Sequence, residues 1–115
     1  MKNVDNALMD ALSTLLLPVY PNVYVGDEIE YIVTNYNVIP TVYAERLPAA
    51  ARYLVQVHYY LPTGKNPNSV KQSIQSALSN AGFTYPSITQ AHDKDGQHWI
   101  FECEYVNAGG VYGYT

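Results

Sequence analysis

Cysteine and charged residues are scarce in this sequence of 115 residues. Cys103 is the only cysteine, so the chain cannot form an internal disulfide, and we expect it to work in a reducing compartment. Charged residues make up 14% of the chain, well below the roughly 25% of an average soluble protein. A small domain has a large surface for its volume, and here uncharged residues must cover most of it.

Long apolar runs and basic clusters are also missing. No apolar run approaches the ~20 residues of a membrane span, and the N-terminal residues MKNVDNALMDAL carry acids where a signal peptide would be basic. We therefore expect a chain that is used without secretion. The net charge is −4, and the six Lys and Arg residues are scattered from Lys2 to Lys94. This composition argues against non-specific binding to DNA or RNA phosphates.

Tyrosine is abundant, at 12 of the 115 residues, and 48% of the chain is apolar. The apolar content and the length favour one folded domain with a single core. Tyrosine is common in sheets that are half exposed to water. It is also favoured at protein contacts, because it combines apolar area with a hydroxyl group. The low charge favours the second interpretation.

The first segment has the apolar spacing of an amphipathic helix. We expect it from Val4 to Leu17, with Asn3 or Asp5 as its cap and Pro18 as its end. After it, residues 18–21 should be irregular and residues 23–25 extended. The predicted apolar stripe of the helix contains Val4, Leu8, Ala11, Leu12, Leu15 and Leu16.

A second helix has clear start and stop signals. Asn66 can cap it, Pro67 occupies its first position, and Gly82 ends it. A closing hairpin is predicted from Ser87–Asp93 and Gln97–Val106 around the turn Lys94-Asp95-Gly96. The apolar stripe of the second helix contains Val70, Ile74, Ala77, Leu78 and Ala81.

Two earlier strands are predicted at Glu30–Asn37 and Tyr53–Leu61. Between them, Val38–Arg52 is too long for a tight hairpin, contains two prolines, and is strongly apolar. We expect a connection that either folds onto its own core or projects towards a neighbouring subunit, and we favour projection.

These elements predict an α+β fold of order α-β-β-α-β-β, with an antiparallel sheet of about four strands and both helices on one face. The domain should span residues 1–106, followed by a flexible tail at 107–115. The opposite sheet face should carry His58, Tyr60, Ile100, Glu102 and Glu104. The predicted core contains Leu8, Leu12, Leu15, Val55, Val57, Ile74, Leu78, Trp99 and Phe101.

Few residues suggest chemistry. Glu102 and Glu104 project from one strand face, and a histidine (His58, His92 or His98) close to them would suit a metal ion or a small enzyme. The spacing matches no metal motif, so we favour a solvated or subunit-facing surface, with no cofactor, no metal and no catalytic residue. Cys103 alternates with Trp99, Phe101 and Tyr105, which is typical of a small core residue rather than a nucleophile.

The order of segments resembles the tail-completion, or head-to-tail joining, proteins of tailed bacteriophages, including the tail terminators. The resemblance covers about Val4 to Tyr105 and rests on ALMDALSTLLL, EYIVTNYN, RYLVQVHYYLP, NSVKQSIQSALSNAG and ITQAHDKDGQHWIFECEY. It implies a non-catalytic virion protein that forms a homo-oligomeric, hexameric ring between connector and tail-tube proteins, after assembly in the host bacterial cytoplasm. The apolar, proline-containing connection departs from a plain joining protein.

Within that interpretation, the expected assembly interface consists of Val38, Ile39, Val42, Tyr43 and Leu47 in the connection and Tyr112 and Tyr114 in the tail. The alternative function is a small ligand- or partner-binding regulatory module that uses the mixed sheet face. Neither the resemblance nor the composition predicts binding to a specific nucleic acid sequence or to a membrane.

Overall fold

The computed structural model describes the backbone of residues 3–44 and 47–107, and the side chains of residues 3–39 and 51–105. The described chain is an α+β fold with two helices and one five-stranded mixed sheet. The elements follow the order α-β-β-β-α-β-β, so the expected α+β class is confirmed and the expected four-stranded antiparallel sheet is corrected. They are α1 (Val4–Leu12), β1 (Val19–Pro21), β2 (Tyr31–Ala44), β3 (Leu47–Leu61), α2 (Asn68–Asn80), β4 (Ser87–Ala91) and β5 (Gln97–Asn107).

The sheet has the strand order β1-β2-β3-β5-β4. β3 is central and pairs antiparallel with β2 on one side and with β5 on the other. β1 pairs parallel with β2, from Val19↔Ile32 to Pro21↔Thr34. This short strand replaces the irregular segment expected at residues 18–21. β1 has three residues, the last of which is Pro21, and it is too short for a period-2 pattern, so only pairing with β2 defines the strand.

The predicted connection Val38–Arg52 is instead part of a long β-hairpin. β2 and β3 pair from Tyr31↔Tyr60 to Ala44↔Leu47, with register shifts between Pro40 and Tyr43. Proline lacks a backbone N–H, and it is tolerated in strands mainly at edges and irregularities. Pro40 and Pro48 therefore suggested a loop in the sequence, whereas both lie within paired strands.

α1 begins where expected. The side chain of Asn3 caps it, because Asn3 Oδ1 accepts a hydrogen bond from the Asn6 backbone N–H at 2.8 Å. The helix is shorter than predicted, since it ends at Leu12 and continues as a 3₁₀ turn over Ser13–Leu15. Leu16 then adopts a left-handed conformation (φ 59°) and is 92% exposed, so its place in the predicted apolar stripe is wrong.

α2 matches its sequence signals closely. Asn66 Oδ1 accepts a hydrogen bond from the Asn68 N–H at 2.9 Å, and Gly82 has a φ of +95°, which suits the residue that follows a helix. Its Lys71 ammonium lies 3.7 Å from the centre of the Trp99 ring on β5. α2 is therefore fixed over the β5 side of the sheet.

The core lies between the two helices and one face of the sheet. Along β3 the buried residues alternate with more exposed ones, as period-2 geometry requires. Seven predicted core residues are buried, while Leu15 and Trp99 are only partly buried against them. The core also contains side chains that the prediction omitted: Val4, Ala7, Ala11, Ile32, Ala51, Tyr53, Tyr59, Leu61, Phe83, Cys103 and Tyr105.

Phe101 is fully buried on β5, within this core. We expect Phe101→Ala to lower the free energy of unfolding by about 3–5 kcal/mol, because a large cavity replaces the ring. Urea denaturation measures the change. Leu16→Ala is the matched control, and it should change stability by less than about 0.5 kcal/mol, because Leu16 is exposed. A loss below about 1 kcal/mol for Phe101→Ala would contradict the assigned strand face.

Candidate assembly surface

The sheet face opposite the two helices, here called the open face, carries the alternate residues of β2, β3 and β5. The registers Tyr31↔Tyr60↔His98 and Asn35↔Gln56↔Glu102 place these side chains in cross-strand rows. The expected residues His58, Tyr60, Ile100, Glu102 and Glu104 all belong to this face. In the described part of the chain, both helices pack on the other face.

Six aromatic rings form a continuous row across one end of the open face. Tyr24 stacks on Tyr31 at a centroid distance of 3.8 Å, Tyr31 on Tyr60 at 4.8 Å, and Tyr60 on His98 at 4.2 Å. Tyr20 contacts the edge of Tyr24. The sixth ring is His58, next to His98. Because the stacked rings cover one another's faces, the row offers ring edges and polar atoms, and it is a poor platform for stacking bases.

The row is held at its outer end by Glu28. Tyr20 Oη donates a hydrogen bond to Glu28 Oε1 at 2.6 Å, and Tyr24 Oη donates to the Glu28 backbone oxygen at 2.8 Å. The bond from Tyr20 holds the pKa of Glu28 below its usual range, while burial and the contact with Glu28 raise the pKa of Tyr24 to about 12. A Cβ at Gly26 would overlap the ends of the Glu28 and Tyr20 side chains, so a larger residue there would displace them.

A histidine pair lies at the inner end of the row. His58 Nδ1 and His98 Nε2 are 2.7 Å apart, so one ring donates a hydrogen bond and the other accepts it. Burial lowers the pKa of both groups; His98 lowers that of His58 further, while Glu102 opposes the shift. For His98, Asp93 opposes the effect of burial. Both shifts favour the neutral form of the rings.

The carboxylates that suggested chemistry are engaged separately. Glu104 accepts a hydrogen bond from Arg52 Nε at 2.7 Å, whereas Glu102 accepts from Gln56. His92 lies exposed in the β4–β5 connection. Among residues whose side chains the structure describes, no three His, Cys, Asp or Glu groups converge as metal ligands would. The absence of a metal or a cofactor remains a prediction.

Cys103 is buried in the core, as its alternation predicted. Burial, with a smaller effect of Glu104, raises the pKa of its thiol to about 12. A thiol of this kind is protonated at neutral pH and is a poor nucleophile. The environment of Cys103 favours a packing role.

Only part of the expected assembly interface has described side chains. Val38 packs against the core, while Ile39 is 39% exposed. Val42, Tyr43 and Leu47 lie in the paired strands of the hairpin, but their side chains are outside the described set. Tyr112 and Tyr114 lie outside the described residues, as does nearly all of the predicted flexible tail.

Sequence reasoning missed the outer half of the aromatic row. Tyr31 alternates with Val33 and Asn35, so its place on the open face follows from the same period-2 pattern as that of Tyr60. Tyr20 and Tyr24 lie outside this pattern. They reach the row only because the chain folds back between β1 and β2 and is held by Glu28.

Neither a scan against protein-family models nor a search of curated proteins finds a match to this chain. No helix in the described residues is long and apolar enough to cross a membrane.

The histidine pair makes stability depend on pH. The folded-state pKa values of His58 and His98 lie below the value of about 6.5 in the unfolded chain. Stability is thus greatest above the unfolded pKa and is lost as the pH falls through the folded values. We expect the urea midpoint to decrease between pH 7.5 and 5, and the double variant His58→Gln/His98→Gln to reduce this decrease. The control variant His92→Gln should retain the full decrease. If the double variant showed the same decrease as the unmodified protein, the histidine pair would not be its source.

Proposed function

We propose that this chain is a structural subunit of a phage or prophage virion and forms part of a ring at the head–tail junction or tail end. The observation that carries the proposal is the one-sided architecture. Both helices cover the same sheet face, and the open face presents aromatic and polar side chains suited to neighbouring subunits. A scarcity of charge over the whole chain points in the same direction.

The sequence resemblance supports the same role. The segments that carry it correspond to α1, β2, β3, α2 and the β4–β5 hairpin, in that order. By that resemblance the ring is hexameric, and its neighbours are the connector and the tail-tube proteins. Its setting is then the virion, after assembly in the bacterial cytoplasm.

The acidic balance of the chain suits a ring through which DNA passes. The chain as a whole carries a net charge of −4, although on the open face Glu104 is paired with Arg52. Like charge reduces adhesion of the phosphate backbone to the protein surface. DNA would then move through the ring without strong binding.

The β2–β3 hairpin provides a second contact element. Within the described residues, β5 pairs with β3 as far as Ala51↔Asn107, and β1 pairs with β2 over residues 32–34. The pairing described for residues 40–44 and 47–50 is that within the hairpin. A two-stranded element has little core of its own, so contact with a neighbouring subunit is the most direct way to stabilise it.

A hollow of about 330 Å³ favours the alternative, a small ligand-binding regulatory module. It lies beside the middle of the aromatic row and is lined by Tyr31, Tyr60, Asp93 and Asp95 among others. Aromatic rings and carboxylates together suit a small organic cation. A titration with tetramethylammonium, followed by NMR, tests this alternative; specific shifts confined to the hollow would favour it over assembly.

Inactivation of the gene tests the primary proposal. In the phage or prophage that encodes the chain, a stop codon early in α1 should leave unjoined heads and tails or tails of abnormal length. Electron microscopy after induction measures the outcome, and the wild-type gene supplied in trans should restore virions. Normal virions without the protein would contradict the proposal.

Ile39 tests the hairpin separately. We expect Ile39→Ser to lower the free energy of unfolding by about 1 kcal/mol, because its side chain is only partly buried, while head–tail joining decreases strongly. Val38→Ser is the control, and it should lower stability, since Val38 packs against the core. Denaturation and the yield of joined virions are the measurements. Full joining with Ile39→Ser would exclude this residue from the interface.

A further inference from the structure

Three strongly exposed apolar side chains lie close together in sequence at one edge of the sheet. Val23 is 64% exposed, and Val25 and Ile29 are each 77% exposed. They belong to the connection between β1 and β2, which are the outermost pair on that side. Exposed apolar residues that cluster in this way mark interaction sites more often than residues scattered singly.

This connection is held in place without a partner. Tyr20 and Tyr24 bind Glu28, and Tyr24 stacks on Tyr31 of β2. A segment that is ordered before binding loses little conformational entropy when it docks. The acidic edge, defined as Val23, Val25, Asp27, Glu28 and Ile29, is therefore a preformed surface.

The other edge of the sheet offers a groove whose charged residue is a lysine. It lies between α2 and β4, has a volume of about 710 Å³, and its lining includes Lys71, Gln72, Gln75 and Ile88. Gln75 Nε2 donates a hydrogen bond to the Pro86 backbone oxygen at 3.2 Å, which joins the helix to the start of β4. The adjacent Tyr85 is 66% exposed. These residues are here called the α2–β4 groove.

The two surfaces carry opposite charges. Asp27 is exposed in the acidic edge, next to Glu28. Among the described residues, Lys71 is the one charged residue that lines the groove, and its ammonium lies over the Trp99 ring. Asp27 and Lys71 are therefore the oppositely charged pair that the two surfaces offer.

We propose that copies of this chain associate head to tail, with the acidic edge of one copy in the α2–β4 groove of the next. The apolar side chains of the edge cover Ile88 and Tyr85, and Asp27 approaches Lys71. Because the two surfaces differ and lie on opposite sides of the sheet, the contact can repeat from one copy to the next, and it closes a ring where the rotation between neighbours is a whole fraction of a turn. The inference rests on the proposed ring and names the surfaces that close it.

Cross-linking between single-cysteine variants tests the pairing directly. Val25→Cys and Gln72→Cys proteins are mixed and treated with a short bismaleimide; Cys103 is buried and remains unreactive. We expect cross-linked dimers in the mixture and few in either variant alone. Thr63→Cys, at an exposed position outside both surfaces, is the control partner for Val25→Cys. The proposal would be overturned if Val25→Cys cross-linked to itself, or to Thr63→Cys, in the same yield as to Gln72→Cys.

Charge reversal provides a second readout in the otherwise unmodified chain. Asp27→Lys and Lys71→Asp should each weaken self-association by about tenfold in sedimentation or light scattering. A mixture of the two variants should recover association, since each reversed surface then meets a reversed partner. Lys94→Asp, in the β4–β5 turn, is the matched control and should associate normally.

The outcomes separate the two proposals. Oligomers that persist in both charge variants, without the Val25–Gln72 cross-link, overturn this interface and leave the virion role intact. A chain that remains monomeric at its highest soluble concentration also overturns the interface. The virion role itself fails only if joined particles form in the absence of the protein.

Discussion

The structure depends on the burial of one side of β3. This strand lies at the centre of the sheet, and its alternate side chains from Ala51 to Leu61 pack beneath α1 and α2. Each fully buried large side chain contributes about 1.5–3 kcal/mol, so this row outweighs any surface contact described above. With that face fixed, period-2 geometry sends the intervening side chains to the open face. The core and the candidate assembly surface are thus two consequences of one alternating segment.

The sequence was sufficient for the elements whose local signals agree with their packing. The caps of α1 and α2, the alternation of β3, and the Asp-Gly turn before β5 all predicted elements that the fold contains. It was insufficient where tertiary pairing overrides local preference. Pro40 and Pro48 lie in paired strands, β1 exists only by its parallel pairing with β2, and Leu16 adopts a left-handed conformation that leucine disfavours.

The candidate assembly surface was likewise predictable from local sequence signals only in part. Alternation correctly placed His58, Tyr60, Glu102 and Glu104 on one face. The contacts among them follow from register, which decides that His58 meets His98 and that Glu104 meets Arg52. Cross-strand register over separations of 40 and 52 residues has no local sequence signal. For the same reason, sequence patterning placed the aromatic residues separately and could not assemble them into a row.

The order of strands in the sheet differs from their order along the chain, and this affects folding during synthesis. The β2–β3 hairpin contains its own pairing partners and can form soon after Leu61 leaves the ribosome. The side chains of Tyr53 and Tyr59 are not yet fully buried at that stage. α2 is made later, and β5 must close a loop of some 40 residues to reach β3. Until residues 97–107 have been made, the central strand is an edge, and its apolar side is only partly covered. The nascent chain is therefore most prone to aggregation just before its last strand is added.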